Sequence, residues 1–172
     1  LRPTLSFLLF AFGFANLSSA AVIANLVPAL AERAVTPTTA AAFGSVFGLM
    51  QLPGRALMMQ GQFSGSPFLL LASSLGLQAL GLTAWALVPS AVAAFVGMAV
   101  FAGGSGLTAL VRPYLVYSVF GGQAAGYLNG RIAQVQQLAR AAGPVLAAWA
   151  AGVLTYRVVL AMLGVAFAGL TA

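Results

Sequence analysis

The sequence has no cysteine, histidine, lysine or aspartate, and its only acidic side chain is that of Glu32. Without these residues the chain cannot build a thiol nucleophile or the usual His and Cys cages for metal ions. It also lacks the two carboxylates that most glycosidases need. We therefore expect no enzymatic activity, no bound metal and no cofactor.

Charge of either sign is scarce. Charged residues make up 5% of the chain and hydrophobic residues 62%, with a mean hydropathy of +1.04, whereas about 25% of residues are charged in an ordinary soluble domain. Such a composition cannot form a water-soluble surface. Because a membrane-spanning helix needs about 20 mainly apolar residues, a chain of 172 residues can hold about six spans. The sequence predicts an all-α polytopic membrane protein surrounded by the lipid bilayer.

The positive charge consists of seven arginines scattered along apolar segments. Since they form no basic face, we do not expect a nucleic acid as a partner. With the N-terminus in the cytoplasm, four arginines lie at the inner ends of spans and two at the outer ends. This excess on the inner side favours that orientation. The inner arginines would then be Arg2, Arg55, Arg112 and Arg131, and the outer ones Arg33 and Arg157.

Hydrophobic runs and the turn-forming residues between them predict six spans. The spans are separated by Pro37, by a turn at 61–67 (GQFSGSP) and by the pair Pro89 and Ser90, among others. The longest connection follows Arg112 and Pro113, and much of it can be helical extension of its neighbours. The predicted spans are Leu5 to Leu30, Thr39 to Met59, Phe68 to Val88, Ala91 to Val111, a fifth from between Ala124 and Ala133 to Leu154, and a sixth after Arg157. The sixth has only about fifteen residues, too few to cross a bilayer, so we expect the natural chain to continue. The chain also begins without methionine, as an excised segment would.

The chain contains a weak internal repeat. A shift of 84 residues aligns span 1 with span 4, and a shift of 85 aligns span 2 with span 5. The matched pairs include Gly13 with Gly97, Leu26 with Leu110, Gln51 with Gln136 and Arg55 with Arg140. Because each unit has three spans, the second must cross the membrane in the opposite sense, as in many secondary transporters. We predict two inverted units, residues 1–88 and 89–172, and chance similarity among Ala, Leu and Gly is the alternative.

Two long segments resemble a known family. Residues 21–59, AVIANLVPALAERAVTPTTAAAFGSVFGLMQLPGRALMM, look like the seventh and eighth helices of the major facilitator superfamily, with a Gly-Arg pair low in the eighth. Residues 101–149 are similar to its tenth and eleventh helices. The resemblance implies that residues 1–172 are the C-terminal six-helix half of a twelve-helix transporter, with the N-terminal six-helix half as partner. It also implies that spans 2 and 5 border the central pathway, where members that carry organic anions place a cation.

Two arginines within the spans are the main candidates for contact with a small-molecule substrate. Gln51 and Arg55 share one stripe of span 2, and Gln136 and Arg140 share the matching stripe of span 5. A charge at bilayer depth costs about 2.5–3.5 kcal/mol on insertion scales, so it usually faces a cavity or a partner. A guanidinium can hold a carboxylate through two hydrogen bonds. We expect Arg55, with Arg140, to neutralise an organic anion, and the alternative for both is a structural role in which the side chain snorkels to the lipid headgroups.

Asn16 and Asn25 of span 1 are further candidates for substrate contact. They lie on opposite faces of a regular helix, so both can face one pathway only if the helix is broken. Hydrogen bonding between helices is the more common role for such residues. Gln78 in span 3 is expected to be structural. The glycines spaced by four, at positions 44 and 48 and at 122, 126 and 130, are predicted to let helices approach closely.

These observations together predict a secondary active or facilitative transporter of a small organic solute, preferably an anion, in the bacterial inner membrane. No carboxylate lies within a span, so either the residues for proton or sodium coupling are in the N-terminal half, or the carrier is a uniporter or an exchanger. The alternatives are efflux of a drug or hydrophobic compound and a non-transporting membrane scaffold.

Overall fold

The computed structural model describes residues 2–59 and 66–171, and in these residues it contains helices and short connections without strands. The predicted all-α class is confirmed. Each predicted span coincides with one helix, except that the first is divided between α1 and α2. The helices are α1 (Arg2–Ala24), α2 (Leu26–Ala31), α3 (Pro37–Met59), α4 (Pro67–Leu87), α5 (Ala91–Phe120), α6 (Gly122–Val153) and α7 (Tyr156–Thr171). Most of the turn predicted at 61–67 lies outside the described residues.

Three helices of the described chain are long and apolar enough to cross a membrane: Pro3–Ala24 within α1, Pro67–Leu87 and Ala91–Phe120. Helices α3 and α6, with 23 and 32 residues, are also long enough, but polar side chains lower their hydropathy. Helix α7 is apolar and has 16 residues. Large side chains such as Leu80 and Val92 are exposed on the outside of the bundle, as expected for a surface that meets lipid. The chain thus has the features of a multi-pass membrane protein.

The connection predicted after Arg112 is almost entirely helical. Helix α5 continues through Pro113 to Phe120, although proline removes one backbone hydrogen bond from a helix. Leu115 and Val116, just beyond Pro113, are fully buried, so tertiary packing stabilises the extra turns. Arg112 therefore lies inside α5 and not at its end.

A break at Asn25 separates α1 from α2. Pro28 in the first turn of α2 has no N–H to donate to the carbonyl four residues earlier, at Ala24. Asn25 adopts φ −104° and ψ 17°, and its side-chain amide donates to the carbonyl of Ala21 at 2.9 Å. Asn25 thus forms the junction between the two helices.

Two pairs of helices pack in parallel. Along α3 and α5 the contacts advance in the same direction, as seen in the pairs Phe43 with Phe95, Phe47 with Phe101 and Gln51 with Gly106. The same holds for α1 and α6, in the pairs Gly13 with Val135, Leu17 with Gly143 and Asn25 with Pro144. Helix α4 runs antiparallel to α5 and α7, with contacts between Gly81 and Gly97, Ser74 and Gly104, and Thr83 and Gly164.

The prediction about glycine packing was wrong for three of the five glycines, since only the Cβ positions of Gly44 and Gly122 come within 4 Å of a described side chain on another helix. Apart from their chain neighbours and the backbone of their own helix, no described atom lies within 4 Å of the Cβ position of Gly48, Gly126 or Gly130. The close approaches occur instead at other glycines. A Cβ added to Gly106 would lie 2.5 Å from the carbonyl oxygen of Gln51, and one added to Gly143 would collide with α1.

Glu32 ties the end of α2 to the start of α7. Its carboxylate accepts hydrogen bonds from the backbone N–H groups of Tyr156 at 2.9 Å and Arg157 at 3.3 Å. A carboxylate at a helix N-terminus satisfies free amides and complements the helix dipole. The only acidic group of the chain is therefore engaged at this end of the bundle.

Two arginines bind the end of α4 beside Glu32. Their guanidinium groups donate to backbone carbonyls, which carry partial negative charge at a helix C-terminus. Arg33 donates to Trp85 and Val88, and Arg157 to Ala86 and Leu87. Burial lowers the pKa of Arg33 from its ordinary value, the nearby Arg157 lowers it further, and Glu32 acts in the opposite direction.

Candidate functional site

A cavity of about 610 Å³ lies between α1, α3, α5 and α6. Its volume falls within the range of about 300–1,000 Å³ that is typical of small-molecule sites. The lining is mainly polar side chains and small residues, and includes Asn16, Ser19, Gln51, Arg55, Ser105, Thr108, Arg112, Gln136, Arg140 and Pro144. Five of the six residues predicted to contact substrate, all but Asn25, are therefore brought together.

Arg55 reaches this cavity from α3. Its guanidinium donates a hydrogen bond to Oε1 of Gln51, one turn earlier on the same helix, at 3.2 Å. The two residues thus form the stripe that the sequence predicted. Since the amide acceptor is neutral, this bond orients the guanidinium without compensating its charge.

Arg112 enters from α5 and is half-buried. Its guanidinium donates to Oε1 of Gln136, a buried residue of α6. The Nε atom of Arg112 is shielded from solvent and has no hydrogen-bond partner among the described residues. A buried donor without a partner costs about 1–3 kcal/mol, so this cation is incompletely satisfied by the described chain.

Arg140 lies on α6, one turn after Gln136, and its side chain is exposed at the cavity. Across residues 2–59 and 66–171 its guanidinium has no hydrogen-bond partner.

The helix contacts place the three arginines at similar heights in the bundle. Arg55 is one turn beyond the contact of Gln51 with α5, and Arg140 is one turn beyond the contact of Gln136 with Arg112. At 1.5 Å per residue, the three Cα atoms lie within about two helical turns along the axis.

No carboxylate lines this cavity among the residues that the structure describes. The acceptors of Arg55 and Arg112 are amides, and Glu32 is engaged at the start of α7. The site therefore carries three positive charges without a counterion from the described chain. These charges attract anions, and the attraction is strongest at Arg112, which is half-buried and therefore less screened by water.

Hydroxyl groups form the wall between α1 and α5. The hydroxyls of Ser19 and Ser105 share a hydrogen bond of 3.0 Å. Thr108 lines the cavity and also accepts a hydrogen bond from the amide of Gln78 at 2.9 Å. Gln78 itself is fully buried between α4 and α5, which fits its predicted structural role.

Asn16 and Asn25 lie in different surroundings. Asn16 lines the cavity and donates to the carbonyl of Phe12 at 3.3 Å. Asn25 is buried outside the lining, where it donates to the carbonyl of Pro144 at 3.2 Å and accepts from the hydroxyl of Tyr156 at 3.0 Å. The structure thus gives Asn25 the contacts of a residue that joins α1 to α6 and α7.

Sequence reasoning missed Arg112 as a cavity residue. The signal was present, because Ser105, Thr108 and Arg112 follow one another at spacings of three and four, which place side chains on one face of a helix. Pro113 directed the interpretation towards a helix end at this point. The continuation of α5 through the proline is what brings Arg112 into the site.

Comparison of the sequence with protein-family models and with curated proteins finds no match. The geometry and chemistry of the cavity therefore carry the functional interpretation.

Proposed function

We propose that the chain is half of a secondary carrier that moves a small organic anion across the bacterial inner membrane by alternating access. The observation that carries this proposal is the convergence of Arg55, Arg112 and Arg140 on one cavity that has no carboxylate in its described lining. Three cations near bilayer depth are costly unless they face water, a ligand or a partner. A transported anion meets that requirement each time it occupies the cavity.

The helix packing supports two inverted three-helix units. Helix α1, the first of the first unit, packs parallel to α6, the second helix of the second unit. Helix α5, the first of the second unit, packs in the same way on α3, the second helix of the first. A two-fold relation between the units produces this reciprocal exchange, and inverted repeats of this kind place their substrate site near the bilayer midplane.

The exposure of the cavity residues supports a binding site that is complete only when a second half of the transporter covers it. Arg55 and Arg140 are exposed in this chain, and the resemblance to the major facilitator superfamily implies a related six-helix half opposite them. In the proposed carrier, the two halves rock about the cavity, and the substrate binds between them. Coupling to a proton or an ion, where it exists, belongs to the other half because no acidic side chain of this chain lies in a helix of the bundle.

The test is uptake of radiolabelled organic anions by proteoliposomes that contain the full natural protein. We expect Arg55→Ala and Arg140→Ala to lower uptake by at least about tenfold, which is the effect of losing one charged hydrogen bond. Arg131→Ala is the matched control, since Arg131 is on α6 but outside the cavity lining, and it should transport normally. Normal uptake of every transported anion by both cavity variants would contradict the proposal.

A further inference from the structure

We infer that the cavity selects organic dianions with two carboxylates on a short carbon chain, and that Arg112 is the residue that distinguishes them from monoanions. This inference rests on the proposed anion transport. It starts from the third guanidinium in the cavity, which a site for one carboxylate does not need.

A bound monoanion neutralises only one of the three positive charges of the described lining. Each of Arg55, Arg112 and Arg140 contributes one positive charge, and their described hydrogen-bond acceptors are the neutral amides of Gln51 and Gln136. One bound carboxylate leaves two cations that repel each other, whereas a dianion leaves one. Because the interaction of charges strengthens where water is excluded, this difference favours dianions.

The placement of the guanidiniums favours two separate carboxylates over one doubly charged phosphate. The three arginines come from three different helices, α3, α5 and α6, and all three line the cavity. Positive charge is therefore distributed around the cavity wall and is not concentrated on one helix. A chain with a carboxylate at each end matches that distribution, and each planar guanidinium can hold one end through paired hydrogen bonds.

Arg112 is the best placed of the three for selectivity. It is half-buried, whereas Arg55 and Arg140 are exposed, so its charge is the least screened by solvent. The bond to Gln136 fixes its guanidinium and uses one of its five N–H donors. Arg112 is thus a cation held in position by a described residue, and its other N–H donors remain available to a ligand.

The experiment measures binding of matched pairs to the full natural protein in detergent by isothermal titration calorimetry. The pairs are malonate, succinate and glutarate with their half-amides, which keep the skeleton and lose one charge. We expect at least one diacid to bind about tenfold or more tightly than its half-amide, as one additional charged hydrogen bond would give. In Arg112→Gln that ratio should fall below about threefold, and Arg112→Lys, which keeps the charge, should restore part of it.

Each other outcome overturns the inference in a recognisable way. Equal affinity for diacids and half-amides in the wild-type protein would reject dianion selectivity and leave anion transport standing. Binding of neither set, with no uptake of any anion, would reject both proposals. Tighter binding of glycerol 3-phosphate than of every diacid would assign the site to a phosphate monoester. Loss of diacid binding in phosphatidylglycerol nanodiscs but not in phosphatidylcholine nanodiscs would assign it to a lipid headgroup.

Discussion

The guanidinium of Arg112 on α5 donates a hydrogen bond to the side-chain oxygen of Gln136 on α6. This bond crosses the cavity wall between two helices and links a cation to a neutral acceptor. A carboxylate at the same position would pair with the charge, whereas the amide holds the guanidinium and leaves the charge available. The predictions below follow from this arrangement and from the contacts around it.

Replacing Gln136 with glutamate should impair anion binding more than truncating it. In Gln136→Glu the new carboxylate pairs with Arg112 and repels an incoming anion, so we expect affinity to fall by at least about tenfold. In Gln136→Ala only the orientation of Arg112 is lost, and the fall should be smaller. Anion titration of both variants by calorimetry checks the order, and an equal or larger loss in Gln136→Ala would contradict it.

Gly143 and Gly126 on α6 should respond differently to alanine. A methyl group at Gly143 collides with the backbone of α1, whereas no described atom is within 4 Å at Gly126. Overpacking typically costs about 1–3 kcal/mol, and alanine in an open helical position is favourable by about 1 kcal/mol. The thermal midpoint of the purified protein should therefore drop in Gly143→Ala and stay level or rise in Gly126→Ala. Equal midpoints would show that α1 and α6 do not approach closely at Gly143.

Substitutions at Asn16 and Asn25 should have different effects, one on anion binding and the other on stability. Asn25→Ala removes the acceptor of the Tyr156 hydroxyl and the donor to Pro144, and we expect it to destabilise the protein by about 1–3 kcal/mol with near-normal anion affinity. Asn16→Ala should weaken anion binding with little change in the thermal midpoint, since Asn16 lines the cavity. The reverse pattern in the two assays would place the substrate near Asn25.

Much of the site was predictable because helical periodicity fixes which side chains share a stripe. Gln51 with Arg55 and Gln136 with Arg140 were predicted in this way, and the structure places both pairs in one cavity. Periodicity does not show which face meets another helix. For that reason the packing prediction was wrong for Gly126 and Gly130 on α6, while Gly143, which has no glycine four residues away, makes a close contact with α1.

The sequence did not predict how the helices behave at two prolines, because this depends on the packing around each proline. Pro113 was interpreted as a helix end, but burial of Leu115 and Val116 holds α5 together beyond it and brings Arg112 into the cavity. Pro28 has the opposite effect, because it has no N–H to donate to the carbonyl of Ala24 at the break beside Asn25. The sequence contains both prolines, but only the packing around each one decides whether the helix continues.

The reaction of introduced cysteines with charged reagents tests the central claim most directly, and this chain offers a background free of cysteine. Ser105→Cys places a thiol in the cavity lining, and Leu80→Cys places one on the apolar outer face of α4. In the full natural protein in membranes, with any cysteine outside this chain replaced, the rates of a negatively charged and a positively charged methanethiosulfonate are each normalised to a free thiol. We predict that Ser105→Cys reacts readily and prefers the negative reagent, that Arg112→Gln reduces this preference, and that Leu80→Cys hardly reacts. An unreactive Ser105→Cys, or one that prefers the positive reagent, would contradict a water-filled cavity that attracts anions.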